Sequence, residues 1–391
     1  MVSIIKKASN ENKEIKLSPK HTVTIRDIAK TCGVGKTTVS AAIYGNGHVN
    51  EKTREEILRV AKEMGYDPNQ QMSARRLGMR KSNNKILNHT IGLFSSLNVT
   101  EGSYIGKPYQ GIAEVCTKEN FAILLTNIPE HTIRTDPTYE LPGTFSRGDA
   151  DGAIMFGSQR KLVDILRATS GFANRPIVSL FYEEENTSSI ISDDKQGTLC
   201  AMRHLLKQGH RNILHLYTPE HSNITRMRIS GIITAFTEMN LDPAKHIHCI
   251  ELPSELMNPI KAPHVLPQDD GPGQDITLGA EIIMPFLQAH PEITAILCEN
   301  DAMALNLWHM LHNIGIKVPR DISLIGFDDT DGMMDAAGTN HLTTIRLPLY
   351  DMGRVATELL LQRITGQITE DEQRILPVEF ILRYSTAPPH R

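Results

Sequence analysis

From Thr90 onward the chain alternates short apolar runs with longer amphipathic segments. The runs "TIGLFSS", "FAILLTN", "DGAIMFG", "PIVSLF", "NILHLY", "TAILCEN" and "SLIGFDD" have the length of buried strands. Helical spacing fills 107–119, 195–209, 226–240 and 300–315 between them. Strands separated by helices predict parallel sheets covered by helices, and these runs are too many for one compact sheet. Ahead of them, the spacing in 24–66 is helical. Thr24 is placed to cap a short helix "IRDIAKTC", Gly33 to make a turn, and "KTTVSAAIYG" to form a second helix ended by Gly45. Val34, Val39 and Ile43 form the inward side of that second helix, while Lys36, Thr37 and Ser40 face outward. Asn50 caps a third helix, "EKTREEILRVAKEMGY", with Ile57, Val60, Ala61 and Met64 inward. Two helices joined by a glycine turn make a helix-turn-helix unit, and three small helices can close one core.

The segment "GVGKTT", Gly33 to Thr38, invites a second reading as a phosphate-binding loop. Such a loop carries a glycine separated by four residues from its Gly-Lys-Ser/Thr triplet and follows a buried strand. Here Lys30 holds that place and the preceding segment is helical. The loop of ParA-type ATPases would need its Lys and first Gly at Thr31 and Cys32. A ParA-like ATPase is therefore the minor alternative.

Charge divides along the chain. Residues 1–90 carry 17 Lys and Arg against 8 Asp and Glu, a net of +9, which leaves −13 for the remainder. A basic head on an acidic body is the pattern of a nucleic-acid-binding module joined to a body that binds none. The five cysteines are widely spaced without C-x-x-C pairs, so neither a disulfide framework nor a zinc site is signalled. The first 20 residues lack a signal-peptide core and no apolar run approaches the roughly 18 residues of a membrane span, which predicts a cytoplasmic protein without membrane contact. His204, His210, His309 and His312 accompany no nucleophile and no metal-ligand spacing. We assign no catalysis and no cofactor.

Longer ordered segments carry a resemblance. "TIRDIAKTCGVGKTTVS", "HVNEKTREEILRVAKEMGYDPN" and "ARRL" in the head resemble the DNA-binding head of the lactose-repressor (LacI/GalR) family. So do "SDDKQGTLCAMRHLLKQGHRNILHL", "RISGIITAF", "TAILCENDAMALNLWHMLHNIGIKVPRDISLIGFDDTD" and "LTTIRLPLYDMGRVATELLL" in the body. The resemblance implies an all-α helix-turn-helix head and an α/β two-lobed effector domain like that of periplasmic binding proteins. It implies a basic flexible arm at 1–22, the head at 23–67, a hinge at 68–86 and the effector and dimerisation domain at 87–391. Lobe 1 would span about 87–211 plus 346–366, and lobe 2 about 212–345 plus 367–391, with crossings near Arg211, Ile345 and Gly366.

The same resemblance implies residue roles. Lys36, Thr37 and Ala41 would face base edges in the major groove. Thr24, Thr38, Ser40, His48, Asn50, Thr53 and Tyr66 would bond phosphates. Leu77, preceded by Ala74 and Arg75, would wedge into a minor-groove step. Ala41 stands where the family usually has arginine, Gly35 where it has a helix-starting serine, and two extra residues separate Pro68-Asn69 from Ala74-Arg75. The effector contacts would be Asp193, Arg228, Asn300 and Asp328, types that suit a polyhydroxylated ligand such as a carbohydrate. Each has a second reading: Asp193, Asn300 and Asp328 as caps or turn residues, Arg228 as a solvated helix charge. The family's "SNPFF" segment is replaced by "SLNVTEGSYIG" and its pocket aromatic by Ile276, so Tyr104 and Phe94 become alternative pocket residues. Trp308 reads as core or subunit interface. The prolines of 252–274 mark a long surface loop. The expected protein is a homodimeric regulator, a repressor, binding a near-palindromic operator under control of a small molecule. A solute-binding protein without DNA function is the other alternative.

Overall fold

The computed structural model describes residues 23–44, 49–66, 87–95, 103–128, 139–157, 160–218, 222–252, 266, 280–330 and 332–390. The arm at 1–22, the hinge at 68–86, the prolines of 252–274, and His48, Arg75, Leu77 and Ile276 lie outside the described residues. The chain divides into two compact units, 1–88 and 89–391.

In the first unit, α1 (Ile25–Cys32), α2 (Lys36–Tyr44) and α3 (Glu51–Glu63) are the three expected helices. The backbone N–H and the hydroxyl of Thr24 both donate to Asp27 Oδ2, at 2.8 and 2.7 Å, which fixes the start of α1. Gly33 ends it at φ 65°, the left-handed region that glycine enters without steric cost. Asn50 Oδ1 accepts from the Lys52 N–H at 3.1 Å and starts α3. Ile28, Val39, Ala42, Ile57, Val60 and Tyr66 are buried in one core, with Val34, Ile43 and Met64 packed against it.

Among the described residues the second unit contains two parallel sheets and one two-stranded antiparallel sheet. Strands β1 (Thr90–Ser95), β2 (Ala122–Asn127), β3 (Gly152–Phe156), β4 (Ile177–Leu180), β5 (Ser188–Ser192) and β11 (Gln373–Leu376) form the sheet of lobe 1, in the order β11-β5-β4-β3-β1-β2. All its pairings are parallel. The sheet of lobe 2 is parallel β7-β6-β8-β9, from β6 (Asn212–Tyr217), β7 (Ile247–Glu251), β8 (Ile293–Cys298) and β9 (Ser323–Ile325). Two short strands, β10 (Thr344–Arg346) and β12 (Glu379–Ile381), pair antiparallel. All seven apolar runs named from the sequence are strands. Each lobe has its own core, around Phe94, Phe145 and Phe172 in lobe 1 and around Leu214, Ile296 and Trp308 in lobe 2.

Two of the expected crossings move. The helix Asp194–Gln208, numbered α7 after α4 (Ser103–Lys118), α5 (Gly143–Ser146) and α6 (Arg160–Ala168), packs on α8 (Ser222–Glu238) and on β10 and β12. The chain therefore leaves lobe 1 at the end of β5, not near Arg211. The last crossing lies after Leu376, not near Gly366, because β11 pairs with β5 and completes the first sheet. After β10 the chain passes to the helix Leu349–Thr365. Four further helices are described: α9 (Pro243–His246), α10 (Ala280–Ala289) and α11 (Asp301–Asn313) belong to lobe 2, and α12 (Leu349–Thr365) returns to lobe 1, where it packs on α4.

That last contact is close. A Cβ added at Gly353 on α12 would stand 2.0 Å from the carbonyl oxygen of Pro108 on α4. Backbone yields less readily than a side chain, so Gly353→Ala forces the helices apart and should lower the stability of this unit by about 1–3 kcal/mol in urea denaturation. An unchanged unfolding midpoint would contradict the helix contact described here.

Candidate functional site

The described face of α2 separates its two kinds of residue as expected. Lys36 and Thr37 are exposed, Thr38, Ser40 and Ala41 are half-buried, and Val39 and Ala42 are buried on the opposite side. Asn50 is exposed and Thr53 half-buried. Tyr66 is 8% exposed and part of the three-helix core, so its ring helps hold the helices together. A hydrophobic ring with a polar tip is ambiguous in sequence, and here the ring is buried.

In the second unit, side chains from both lobes converge at the carboxyl ends of the strands, where open α/β sheets bind ligands. Arg228, on α8, is 5% exposed. Its Nε donates to Asp194 Oδ2 at 3.3 Å, its Nη1 donates to the backbone carbonyl of Glu299, and its guanidinium lies 3.5 Å from the ring centroid of Phe327. Burial works against that charge, but Asp194, Asp328 and Glu299 together outweigh it and hold Arg228 above its ordinary pKa. Arg228 is thus no solvated helix charge. Ser192 donates to the other oxygen of Asp194 at 2.7 Å, fixing the carboxylate.

The acidic partners each come from a strand end. Glu299, just after β8, is 4% exposed, and its Oε2 accepts from the N–H and hydroxyl of Thr218 at 2.6 and 2.7 Å. Its Oε1 is also buried, and among the described residues no group bonds it. Asp328, beyond β9, has φ 100°, a conformation costly for a residue with a side chain and found most often where function demands it. Below it Asp301, fully buried, accepts from Thr344 Oγ1 at 2.6 Å and from the Thr330 N–H at 2.9 Å. Burial, and next to it the charge of Asp328, push Asp301 well above the usual carboxylate range.

Lobe 1 supplies aromatic rings. Tyr104, at the start of α4, stacks on Phe181 with centroids 5.0 Å apart, and Phe181 is held at φ 76° directly after β4. Burial raises the Tyr104 and Tyr182 hydroxyls above their ordinary range, and the charges of Asp194 and Asp328 add to the effect on both. Those charges belong to lobe 2, so both phenols face the ionic cluster across the lobes. Lys107 Nζ, on α4, also reaches across, donating to the Asp329 carbonyl at 3.4 Å.

Of the four effector residues expected, the structure joins Arg228 and Asp328 in this cluster. Asp193 instead caps α7, accepting from the Gln196 N–H at 3.0 Å, and Asn300 caps α11, accepting from Met303 at 2.8 Å. Their neighbours Asp194 and Glu299 carry the buried charge. Of the two alternative pocket aromatics, Tyr104 is at the cluster, while Phe94 is fully buried against Phe145 in the lobe 1 core. Trp308 is 5% exposed and belongs to the lobe 2 core.

Comparison with known proteins adds context. Residues 24–69 match "Bacterial regulatory proteins, lacI family", and residues 202–386 match "Periplasmic binding protein-like domain". The chain is 27% identical over 369 residues to the probable HTH-type transcriptional repressor ExuR of Bacillus subtilis, covering 93% of this chain and 98% of that protein. It is 26% identical over 366 residues to the HTH-type transcriptional repressor PurR of Mannheimia succiniciproducens, with the same coverage of each. Among solved structures, a LacI family transcriptional regulator from Enterococcus faecium with bound ribose superposes with TM-score 0.58 at 25% identity, covering 76% of this chain and 99% of that one. The lac repressor dimer bound to operator and the anti-inducer ONPF shares the fold, with TM-score 0.58 at 23% identity, covering 93% and 99%.

Asp194→Ala would leave the Arg228 guanidinium buried without its bonded carboxylate. Breaking a buried ion pair in this way should lower the stability of the ligand-free protein by about 3 kcal/mol or more in urea denaturation, and a loss under about 1 kcal/mol would contradict the pairing.

Proposed function

The chain belongs to the lacI family of bacterial regulatory proteins, and from that premise we propose that it is a transcriptional repressor whose hold on a DNA operator is changed by a hydroxyl-rich small molecule. The ligand sits between the lobes of the second unit. The observation that carries this reading is the Arg228 cluster, one buried guanidinium ringed by Asp194, Glu299 and Asp328 and faced by Tyr104 and Tyr182. Carboxylates accept from hydroxyls, the guanidinium donates, and phenol rings cover the apolar face of a sugar. The bound ribose in the Enterococcus faecium relative supports this ligand class. With three carboxylates against one arginine, the site favours neutral polyols over sugar acids. In a thermal-shift series on the whole chain, neutral sugars including ribose should raise the melting temperature with increasing concentration while glucuronate does not. Stabilisation by glucuronate alone would reverse the assignment.

In the first unit, Lys36, Thr37 and Ala41 read base edges, and Thr24, Thr38, Ser40, His48, Asn50 and Thr53 contact phosphates. Arg75 and Leu77 enter the minor groove, and two heads of a homodimer occupy the halves of a near-palindromic site. Ala41 offers a methyl group where arginine would read guanine, so operator preference at that base shifts toward a thymine methyl or is lost. The regulator acts in the cytoplasm, and no chemical step is required of it.

A duplex selected by this protein from random sequence tests the DNA reading. Its affinity should fall steeply with salt, Lys36→Ala should weaken it, and Leu77→Ala should weaken the selected duplex more than unrelated DNA. Indifference to salt, or no sequence selected at all, would overturn it.

A further inference from the structure

Three side chains unused by the proposed function meet on lobe 2, away from the Arg228 cluster. His248 stands on β7, while His290 and Glu292 flank Pro291 in the short connection between α10 and β8. One donor atom from each lies within 4.8 Å of the others, and among the described residues no other three His, Cys or carboxylate side chains gather so closely. Two contacts show the arrangement. His290 Nδ1 is 3.0 Å from Glu292 Oε1, and the His248 and His290 rings are 4.9 Å apart, tilted by 52°. Phe286 lies against both imidazoles, at 4.4 Å from His290 and 5.9 Å from His248.

His248 has a nitrogen to offer. Its Nε2 is buried, and no group among the described residues bonds it. Partial burial, then the neighbouring His290, lower the pKa of this imidazole from its ordinary value. Strand alternation puts Ile250, which is buried, on the same side as His248, and sends the exposed Cys249 to the opposite side, away from the group.

We propose that His248, His290 and Glu292 bind a divalent transition-metal ion of the Zn²⁺ class, with the remaining coordination position left to water. Two imidazoles and one carboxylate are a zinc donor set, whereas Ca²⁺ and Mg²⁺ require six or more oxygen ligands. Ligand atoms of a tetrahedral zinc centre stand about 3.3 Å apart. The His290–Glu292 pair already meets that spacing, and a small rotation of His248 closes the rest. The ion replaces the hydrogen bond between His290 and Glu292 and joins β7, the edge strand of the lobe 2 sheet, to the turn entering β8.

The test uses the whole chain without an affinity tag, stripped with a chelator and titrated with Co²⁺, whose visible absorption reports its coordination, then with Zn²⁺ in competition. One equivalent of Co²⁺ should give a saturable four-coordinate spectrum that Zn²⁺ abolishes, and Zn²⁺ should raise the melting temperature. His290→Ala and Glu292→Gln should each weaken binding roughly tenfold or more, and Cys249→Ser should leave it unchanged. Circular dichroism of the stripped variants checks that each is folded, and two substitutions at different ligands guard against one that is not. Absence of a saturable spectrum, or equal affinity in the wild type and both ligand variants, would overturn the site.

Discussion

A single buried positive charge organises the second unit. Arg228 cannot sit 5% exposed without compensation, since an unpaired guanidinium out of water costs several kcal/mol. The surrounding structure supplies it at four points: Asp194 at the start of α7, the Glu299 carbonyl after β8, the ring of Phe327 and the nearby charge of Asp328. Each lies at or just beyond the carboxyl end of a strand, so the requirement to neutralise one side chain fixes the relative placement of several loops. Thr198 tightens the same arrangement, its hydroxyl donating to the Arg228 carbonyl at 2.9 Å from within α7. Because acids outnumber the base, the cluster is left with acceptors to spare, among them the Glu299 Oε1 that no described residue bonds. A folded core would not leave such an atom buried without reason, and a ligand donating hydroxyls supplies one.

On the proposed reading, the two units meet their ligands by opposite means. The three-helix unit buries only an apolar core and presents Lys36 and Thr37 outward, where a solvated phosphate backbone and base edges can be met without desolvating a charge in advance. The effector unit has already removed its charges from water, and it discriminates by whether a ligand completes their hydrogen bonds. On the same proposed reading, a small molecule that bonds groups on both lobes alters how the lobes meet and thereby operator affinity.

Much of this was legible in the sequence, for definable reasons. Six of the seven continuous apolar runs are strands largely buried on both faces, as in a parallel sheet, while the seventh, β2, lies at the sheet edge and is partly exposed. The strands β5, β7, β10, β11 and β12, of three to five residues, mix polar or charged residues with their apolar positions and escape that pattern, and with β5 and β11 go two of the crossing points. The helix-turn-helix was readable through Thr24, Gly33 and Asn50, whose local hydrogen bonds or backbone angle depend on near neighbours alone. The site was half legible. Arg228 and Asp328 were named, but in "SDD" and "CEND" the sequence offers adjacent polar residues, and which one caps a helix and which turns inward depends on the packing of α8 against α7. Tyr66 is ambiguous in the sequence because its polar tip suits DNA and its ring suits a core, and the structure buries the ring.

The most direct test of the whole scheme is reciprocal linkage in the intact chain. Fluorescence anisotropy would give the affinity for the selected duplex with and without a saturating stabilising sugar, and calorimetry the affinity for that sugar with and without duplex. Both affinities should change by the same factor, and the change should vanish in Arg228→Met. A sugar that binds tightly while leaving duplex affinity untouched would show that the Arg228 cluster and the DNA-binding head are not coupled.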